Sequence, residues 1–292
     1  MRELMNSRQD DWGILKLQNC ILNITEYLDR FCSENGVSYC LMGGSALGAL
    51  RHKGFIPWDD DLDVFMTPEE YSRFRELFFK KGDRENYYLQ EWGASNGKIT
   101  FAKLRMNKST LIERDLEEWD IHQGVYIDIF ILHTCPDSKL ARYNQYFWAK
   151  YLVAKGAANR GYRKKGLVGL MIKMLSILPK HFLVDFALKN VYRYTGQNSK
   201  YLCHFLGRAT LSTGLYDRSY FEGVKRVPFE AIELYVPCQV EKYLSDRWGD
   251  YMKLPSMDEI KKYQHSWKWS VSDYFPGYNI DSQYSDEKNL IA

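Results

Sequence analysis

The sequence lacks several features that would place it outside ordinary cytoplasmic proteins. Its six cysteines are scattered, with no C-x-x-C pair, which argues against a zinc site or a disulfide framework and favours reduced thiols. It has no apolar run of about 18 residues that would predict a membrane-spanning helix. Residues 1–6 lack the apolar segment of a secretory signal. We therefore expect a protein that is made and kept on the cytoplasmic side.

Charge is nearly balanced over the chain, with 40 Lys and Arg against 37 Asp and Glu, but one segment is strongly basic. Residues 138–184 contain ten basic residues and no acidic one. Within this segment, residues 166–178 are apolar and follow Arg163-Lys164-Lys165. This apolar stretch predicts either an interfacial helix on an anionic membrane surface or a buried core helix behind a basic loop. No recognition motif for nucleic acid accompanies the basic residues, so nucleic acid is not an expected partner.

Hydrophobic periodicity predicts an α+β protein with a mixed β-sheet. Helical spacing or a favourable N-cap predicts helices at 9–34, 46–52 and 68–80. Short β-prone runs predict strands at 37–42, 62–66, 87–92, 98–106, 110–114 and 124–132. From about residue 138 onward the pattern is mainly helical. We expect a catalytic core with its N-terminal helix at 1–136, and a mainly helical region at 137–292 that completes the site.

A Gly43-Gly44-Ser45 turn separates the first predicted strand from a short helix. Backbone N–H groups at a helix N-terminus attract anions, and glycines allow a phosphate to approach closely. The turn therefore predicts a phosphate-binding site, although a purely structural turn can have the same sequence.

Two carboxylates, Asp61 and Asp63, lie at the start of the second predicted strand. Alternation along a strand places them on one face, while Leu62 and Val64 point to the other. Carboxylates held this close repel each other unless a cation lies between them, and Mg²⁺ prefers such oxygen ligands. The alternative is an acidic turn, residues 59–61, that caps a helix or keeps a loop solvated.

A third carboxylate, Asp128, is the only charge in the β-prone run of residues 124–132. A buried carboxylate without a partner costs several kcal/mol, so Asp128 needs a metal or a cationic side chain nearby. Three aspartates around one or two Mg²⁺ ions would form a site for phosphoryl transfer. The alternative is a structural aspartate paired with a neighbouring Arg or Lys.

These motifs together resemble a known family. A Gly-Gly-Ser turn, an Asp-x-Asp on the next strand and a third Asp on a later strand are similar to the nucleotidyltransferase superfamily. The fuller string at residues 43–63, with Ile56-Pro57-Trp58-Asp59 before the aspartates, resembles the LicD family, whose wider group includes fukutin and fukutin-related protein. Further matches lie at 103–110, 126–130 and 248–255, whereas a basic-His ending is present only loosely at 261–265.

The resemblance implies transfer of a phospho-alcohol group from a CDP-linked donor to a hydroxyl of a cell-envelope glycan, with release of CMP. Phosphocholine from CDP-choline is the expected group, and CDP-ribitol or CDP-glycerol are alternative donors. The acceptor would be a lipid-linked teichoic acid, lipopolysaccharide or capsule precursor. A nucleotidyltransferase that moves NMP from an NTP to a small molecule is the alternative reaction, and a catalytically inactive scaffold is disfavoured by the three intact aspartates.

The resemblance also implies a role for each motif residue. Asp61 and Asp63 would hold Mg²⁺, or Mn²⁺, and Asp128 would complete the metal site or take the acceptor proton. The remaining candidates for substrate binding are Gly43, Gly44, Ser45, Arg51, Trp58, Lys103 and Arg105. For the three cations a salt bridge is the alternative, and for Trp58, a possible face for choline, it is core packing. We expect a cytoplasmic enzyme or one held peripherally on the inner face of the cell membrane.

Overall fold

The computed structural model describes residues 10–93, 97–113, 119–159, 180–260 and 268–270. The helices are α1 (Leu15–Asn35), α2 (Gly43–His52), α3 (Pro68–Lys81), α4 (Lys139–Asn159), α5 (Lys180–Tyr192), α6 (Val240–Trp248) and α7 (Met257–Ile260). A 3₁₀ turn spans Arg218–Phe221. The strands are β1 (Cys40–Leu41), β2 (Asp63–Met66), β3 (Tyr87–Trp92), β4 (Phe101–Met106), β5 (Thr110–Ile112), β6 (Tyr126–Ile131), β7 (His133–Cys135), β8 (Tyr201–Cys203), β9 (Leu215–Asp217), β10 (Val224–Phe229), β11 (Ile232–Pro237) and β12 (Lys268–Ser270).

A mixed five-stranded sheet with the order β1-β2-β6-β4-β3 forms the centre of the fold. Strands β2 and β6 run parallel, and the other neighbours run antiparallel. Helix α1 packs against β6 and β4, and Ile127, Ile129 and Ile131 are fully buried on one face of β6. The opposite face of β6 carries Tyr126, Asp128 and Phe130 by strand alternation. The α+β prediction is confirmed.

Most predicted elements are present, with shifted ends. Thr67 caps α3 as predicted, since its Oγ1 accepts the N–H of Glu70 at 3.3 Å. Helix α1 begins at Leu15, not at residue 9, because Asp10 Oδ1 accepts the N–H groups of Ile14 and Leu15. The strand predicted at 37–42 is only two residues long, since its ladder with β2 comprises two residue pairs.

The chain after residue 138 is mainly helical where the structure describes it, but it also forms strands that the sequence did not indicate. Strands β10 and β11 form a hairpin, and β8 and β9 extend β7 into a small sheet. Phe229, Leu234 and Tyr243 are buried in the same hydrophobic core as the central sheet. Residues on both sides of position 136 therefore share this core, and the division into 1–136 and 137–292 stays a prediction.

A second, smaller core joins α4 and α5 to the β7–β9 sheet. Its buried members include Cys135, Leu152, Leu188, Val191 and Phe205. In the parts of the chain that the structure describes, no helix combines the length and apolarity needed to cross a membrane. The apolar stretch predicted at 166–178 lies outside the described residues.

The loop between α2 and β2 folds back onto α2 at Gly48. A Cβ added at Gly48 would lie 2.5 Å from the carbonyl oxygen of Gly54. The Gly54 N–H in turn bonds to the Gly48 carbonyl at 3.4 Å. Gln18 of α1 holds the far end of the loop, since its side-chain amide donates to the carbonyls of Ile56 (3.2 Å) and Asp59 (2.8 Å). Because Gly48 has no side chain, the loop backbone can lie against α2 at this point, and this contact helps to position the loop that carries the aspartates.

Replacing Gly48 by alanine should force the loop backbone away from α2. We expect Gly48→Ala to lower the free energy of unfolding by about 1–3 kcal/mol, as overpacking does elsewhere. Gly156→Ala is the matched control, because among the described residues no atom outside the local backbone of α4 lies within 4 Å of a Cβ added at Gly156. The control should be neutral or stabilising by up to about 1 kcal/mol. Urea denaturation of both variants measures the difference, and equal stability would contradict the close approach.

Two histidines are buried where the two cores meet. Burial, followed by the neighbouring charge of His204, lowers the pKa of His133 from 6.5 to about 3. Burial likewise lowers the pKa of His204 to about 3. The unfolded chain takes up a proton near the ordinary value, while the folded chain does not. Each histidine therefore contributes stability that is present above about pH 6.5 and is lost as the pH falls towards 3.

The variant His133→Phe should remove one of these titrations, because His133 packs edge-on against the ring of Tyr192 at 4.6 Å and phenylalanine can take this place. Between about pH 7.5 and about pH 5.5, one such histidine costs the wild type ~1 kcal/mol. The loss of unfolding free energy over this interval should be smaller by that amount in the variant. Urea midpoints at both pH values test this, and an unchanged pH dependence would contradict a neutral, buried His133.

Candidate active site

Asp63 and Asp128 lie side by side on the two parallel strands at the centre of the sheet. Asp63 of β2 is the register partner of Asp128 of β6, and the Asp128 N–H donates to the carbonyl of Leu62 at 2.9 Å. Neighbouring strands lie about 4.8 Å apart, so the two side chains start from adjacent positions on one face. Two carboxylates that are 65 positions apart in the chain are thus brought together by one ladder.

Asp128 has a cationic partner within the sheet. Lys103 of β4 is its antiparallel register partner, and the distance from Lys103 Nζ to Asp128 Oδ1 is 2.9 Å. The ammonium of Lys103 is nearly inaccessible to solvent and lies 3.3 Å from the ring centroid of Tyr126. The cation that the isolated Asp128 requires is therefore present in the protein itself.

Asp61 joins a second acidic group in the loop just before β2. Among the described residues, Asp59, Asp60 and Asp61 form the one group of three side chains whose carboxylate oxygens lie within 4.8 Å of one another and could hold a metal ion. Asp61 does not form such a tight group with Asp63 and Asp128 together. Its charge nevertheless acts directly on Asp63, as the pKa of Asp63 shows.

Burial and mutual repulsion oppose ionisation of these carboxyl groups. Burial raises the pKa of Asp63 well above its ordinary value, and the charges of Asp61 and Asp128 raise it further. Burial and the charges of Asp61 and Asp60 raise the pKa of Asp59 in the same way. At Asp63, the charge of Lys103 offsets part of this repulsion. A divalent cation would relieve the remainder, so the residues present fit Mg²⁺ or Mn²⁺.

The Gly43-Gly44-Ser45 turn begins α2 directly beside the aspartates. The Ser45 hydroxyl accepts the N–H of Asp63 at 2.8 Å, which ties the turn to β2. The Gly43 N–H donates to the hydroxyl of Tyr243 at 3.0 Å. A Cβ added at Gly44 would lie 3.1 Å from Asp59 Oδ2, so the main chain and this carboxylate approach closely. Phosphate binding by the Gly44 and Ser45 amides stays a prediction.

Both arginines named as candidates donate hydrogen bonds to main-chain carbonyls. Arg51 of α2 donates to the carbonyls of Tyr251 (3.0 Å) and Lys253 (3.2 Å), which fixes the segment after α6 against α2. Arg105 is fully buried and donates to Gln90 Oε1 and to the Gly124 carbonyl, both at 2.7 Å. These contacts explain why both arginines are present, and a role for either in substrate binding stays a prediction.

Trp58 lies half-buried in a small aromatic group beside the acidic loop. Its ring packs edge-on against Trp12 at 6.0 Å and against His52 at 6.1 Å. Trp12 lies in the turn before α1, and nothing in the sequence indicated that it would contact Trp58. The ring of Trp58 is thus an aromatic surface on the residue directly before Asp59.

Sequence reasoning missed other residues that the fold brings to the site. Asp59 lies close to Gly44, and burial and the charge of Asp61 raise its pKa; in the sequence it was noted only within the acidic turn and the family string. Glu113, with Oε2 at 3.5 Å from Lys103 Nζ and 3.6 Å from an Arg105 nitrogen, had none. Tyr126, which lies beneath the Lys103 ammonium, was quoted for the family motif but not as a site residue.

Comparison with known proteins identifies relatives of this chain. Residues 36–152 match the family described as LicD/FKTN/FKRP, nucleotidyltransferase domain. The chain is 27% identical over 247 residues to the lipopolysaccharide cholinephosphotransferase LicD of Haemophilus influenzae, covering 82% of this chain and 91% of that protein. An uncharacterized protein of Rickettsia typhi is 40% identical over 45 residues, which is 15% of each chain. The aspartates of β2 and β6 both lie inside the matched residues, so the chain contains a domain similar to the LicD/FKTN/FKRP nucleotidyltransferase domain.

Proposed function

We propose that this protein is a phosphotransferase of the LicD type that transfers phosphocholine from CDP-choline to a hydroxyl of a cell-envelope glycan. The observation that carries the proposal is the pairing of Asp63 with Asp128 in one parallel ladder, with Asp61 and Asp59 close by. The description of the Haemophilus influenzae relative as a lipopolysaccharide cholinephosphotransferase supports the reaction and the kind of acceptor. CDP-ribitol and CDP-glycerol are the other donors to be tested.

Asp61 and Asp63 would hold Mg²⁺, with Asp59 and Asp128 as further oxygen ligands. When bound, the ion would neutralise the donor diphosphate and stabilise the charge that builds up on the departing phosphate. The fit rests on carboxyl groups whose pKa values are raised by burial and by one another. When such carboxyl groups are ionised they repel one another, and a bound hard cation relieves this repulsion.

Asp128 is suited to take the proton of the acceptor hydroxyl. The acceptor oxygen bonds to the phosphorus that carries choline, the bond from that phosphorus to the bridging oxygen breaks, and CMP leaves with the electron pair. Burial raises the pKa of Asp128, which makes it a better base than an ordinary aspartate, and Lys103 holds one of its oxygens at 2.9 Å. Lys103 thereby orients the base and places a positive charge beside the reacting phosphate.

The start of α2 would bind the donor's phosphate groups. Helix α2 is ten residues long, and its first turn lies beside the acidic loop. The Ser45 hydroxyl is already engaged by the Asp63 N–H, so the phosphate contacts would come from main-chain amides and the helix dipole. This division of roles explains why a small residue is needed at position 44 and a hydroxyl at position 45.

Neutralising either central aspartate should abolish transfer. We expect Asp63→Asn and Asp128→Asn each to lower the rate of CMP release from CDP-choline by a factor of about 10³ or more, since each removes a charge from the site. The assay contains Mg²⁺ and a lipopolysaccharide or teichoic acid acceptor. Glu241→Gln is the control, because Glu241 forms an exposed ion pair with Lys225 on another part of the surface and should leave the rate unchanged.

Three results of this assay would contradict the proposal in different ways. Full activity of Asp63→Asn, with its circular dichroism unchanged, would place the metal elsewhere. CMP release only from CDP-ribitol or CDP-glycerol would keep the reaction and replace the donor. Pyrophosphate release from an NTP, with no CMP from any of the three donors, would make the protein a nucleotidyltransferase of the NMP-transferring kind.

Trp58 should discriminate in favour of a choline-containing donor. A quaternary ammonium over a tryptophan face gains about 0.5–2 kcal/mol, so Trp58→Leu should raise the KM for CDP-choline by about 2- to 30-fold. CDP-glycerol carries no cation and is the internal control, whose KM should change little. An equal change for both donors would mean that Trp58 only packs the acidic loop in place.

A further inference from the structure

Helices α4 and α5 expose an unusual amount of apolar surface. We call the exposed residues the aromatic ridge: Leu140, Tyr143, Phe147, Phe182 and Phe186. Leu140 is 84% exposed, Phe182 is 75% and Phe147 is 61%. Half of the exposed large hydrophobic side chains in the described residues lie on these two helices. Single exposed apolar residues are ordinary, but a concentration of this kind marks a surface that contacts something else.

The ridge is continuous from one helix to the other. Tyr143 and Phe147 follow Leu140 at helical spacing, which puts them on one face of α4. The ring of Phe147 contacts Trp148 at 5.2 Å, Trp148 contacts Phe186 of α5 at 4.9 Å, and Phe186 stacks near Phe182 at 6.5 Å. These rings therefore form one apolar strip across the helix pair.

Other contacts hold this helix pair firmly to the rest of the protein. Gln145 is fully buried, and its amide donates to the carbonyls of Thr134 (2.9 Å) and Val191 (2.8 Å). The hydroxyl of Tyr192, at the end of α5, accepts a hydrogen bond from the N–H of Ile99 and donates one to the carbonyl of Ile99. The helix faces that bear Ala149 and Leu188 are buried in the second core. The ridge is thus presented by a fixed scaffold.

The charges around the ridge select an anionic partner. Helices α4 and α5 contain six basic residues and one acidic residue, Asp185, but Lys155 is buried and Lys150 donates to the carbonyls of Gly207 and Ala209, so these two do not face a partner. Two lysines are exposed near the ridge. Lys139 is next to Leu140 in the chain, and Lys189 lies on the same helix as Phe186. A second copy of this chain docked through the same face would bring like charges together. An anionic lipid surface would satisfy both the aromatic side chains and the lysines, because aromatic rings settle at the lipid headgroup level and lysines attract anionic headgroups.

We propose that the aromatic ridge docks on the surface of a membrane containing anionic phospholipid, with its rings at the boundary between headgroups and acyl chains. The proposal concerns binding alone and does not depend on the identity of the donor. If the acceptor is a lipid-linked glycan, docking would bring the enzyme to the membrane surface in which that acceptor is anchored.

Vesicle flotation of the purified full-length protein tests the docking. The vesicles contain phosphatidylglycerol and phosphatidylcholine, and pure phosphatidylcholine vesicles serve as the comparison. We expect the wild type to float with the anionic vesicles and Phe147→Ser/Phe182→Ser to bind at least about tenfold more weakly, because two exposed rings are lost. Phe79→Ser is the matched control, since Phe79 is 40% exposed on α3, away from the ridge, and should bind like the wild type.

Each other outcome overturns the proposal. Failure of the wild type to float, or equal flotation of the double variant, would remove the ridge from membrane binding. A wild-type dimer in light scattering that the double variant loses, with no vesicle binding, would make a second copy the occupant. Loss of thermal stability in the double variant, with no vesicle binding and no dimer, would show that another part of this chain packs there. Because flotation needs no turnover, its result is separate from that of the CMP-release assay.

Discussion

Repulsion between partly buried carboxylates is the constraint on which the organisation of this protein depends. The parallel pairing of β2 with β6 sets Asp63 beside Asp128, and the preceding loop adds Asp59 and Asp61. Desolvation and like charge both oppose ionisation there, so the folded chain holds this group at a cost in stability. Lys103, buried against Tyr126, is the fixed charge that offsets part of this cost. The remaining demand for positive charge is what a bound divalent cation, as proposed above, would satisfy.

Holding such a group requires support from distant parts of the chain. The acidic loop is fastened by Gln18 from α1, and Gly48 allows the loop to lie against α2. The glycine turn is fixed by Tyr243, which lies 200 positions later and belongs to the segment after the central sheet. Arg51 binds the carbonyls that follow α6. The residues that surround the aspartates are therefore contributed by segments from α1 to the residues after α6, which is consistent with the later segments sharing the main core.

The proposed chemistry and the proposed docking surface occupy separate parts of the molecule. The proposed transfer to a glycan hydroxyl would use the polar face of the central sheet, with Asp128, whose pKa is raised by burial, as the base. The aromatic ridge lies on the helix pair that packs against the small β7–β9 sheet. Tyr192 links the two through its bonds to Ile99, just before β4. A protein built in this way can bind a surface without changing the geometry of its aspartates.

The sequence by itself determined the secondary-structure class, the Thr67 cap, the order of the acidic motifs and the resemblance to the LicD family, because capping, alternation and motif spacing are local properties. It also specified that Asp128 needs a partner, since a lone charge in a buried strand cannot be left uncompensated. Only the tertiary structure decided that this partner is Lys103, that Arg105 is buried, and that Asp59 and Glu113 join the site. Strand order and register fix those contacts, and they arise from the packing of segments far apart in the chain, which no local pattern encodes.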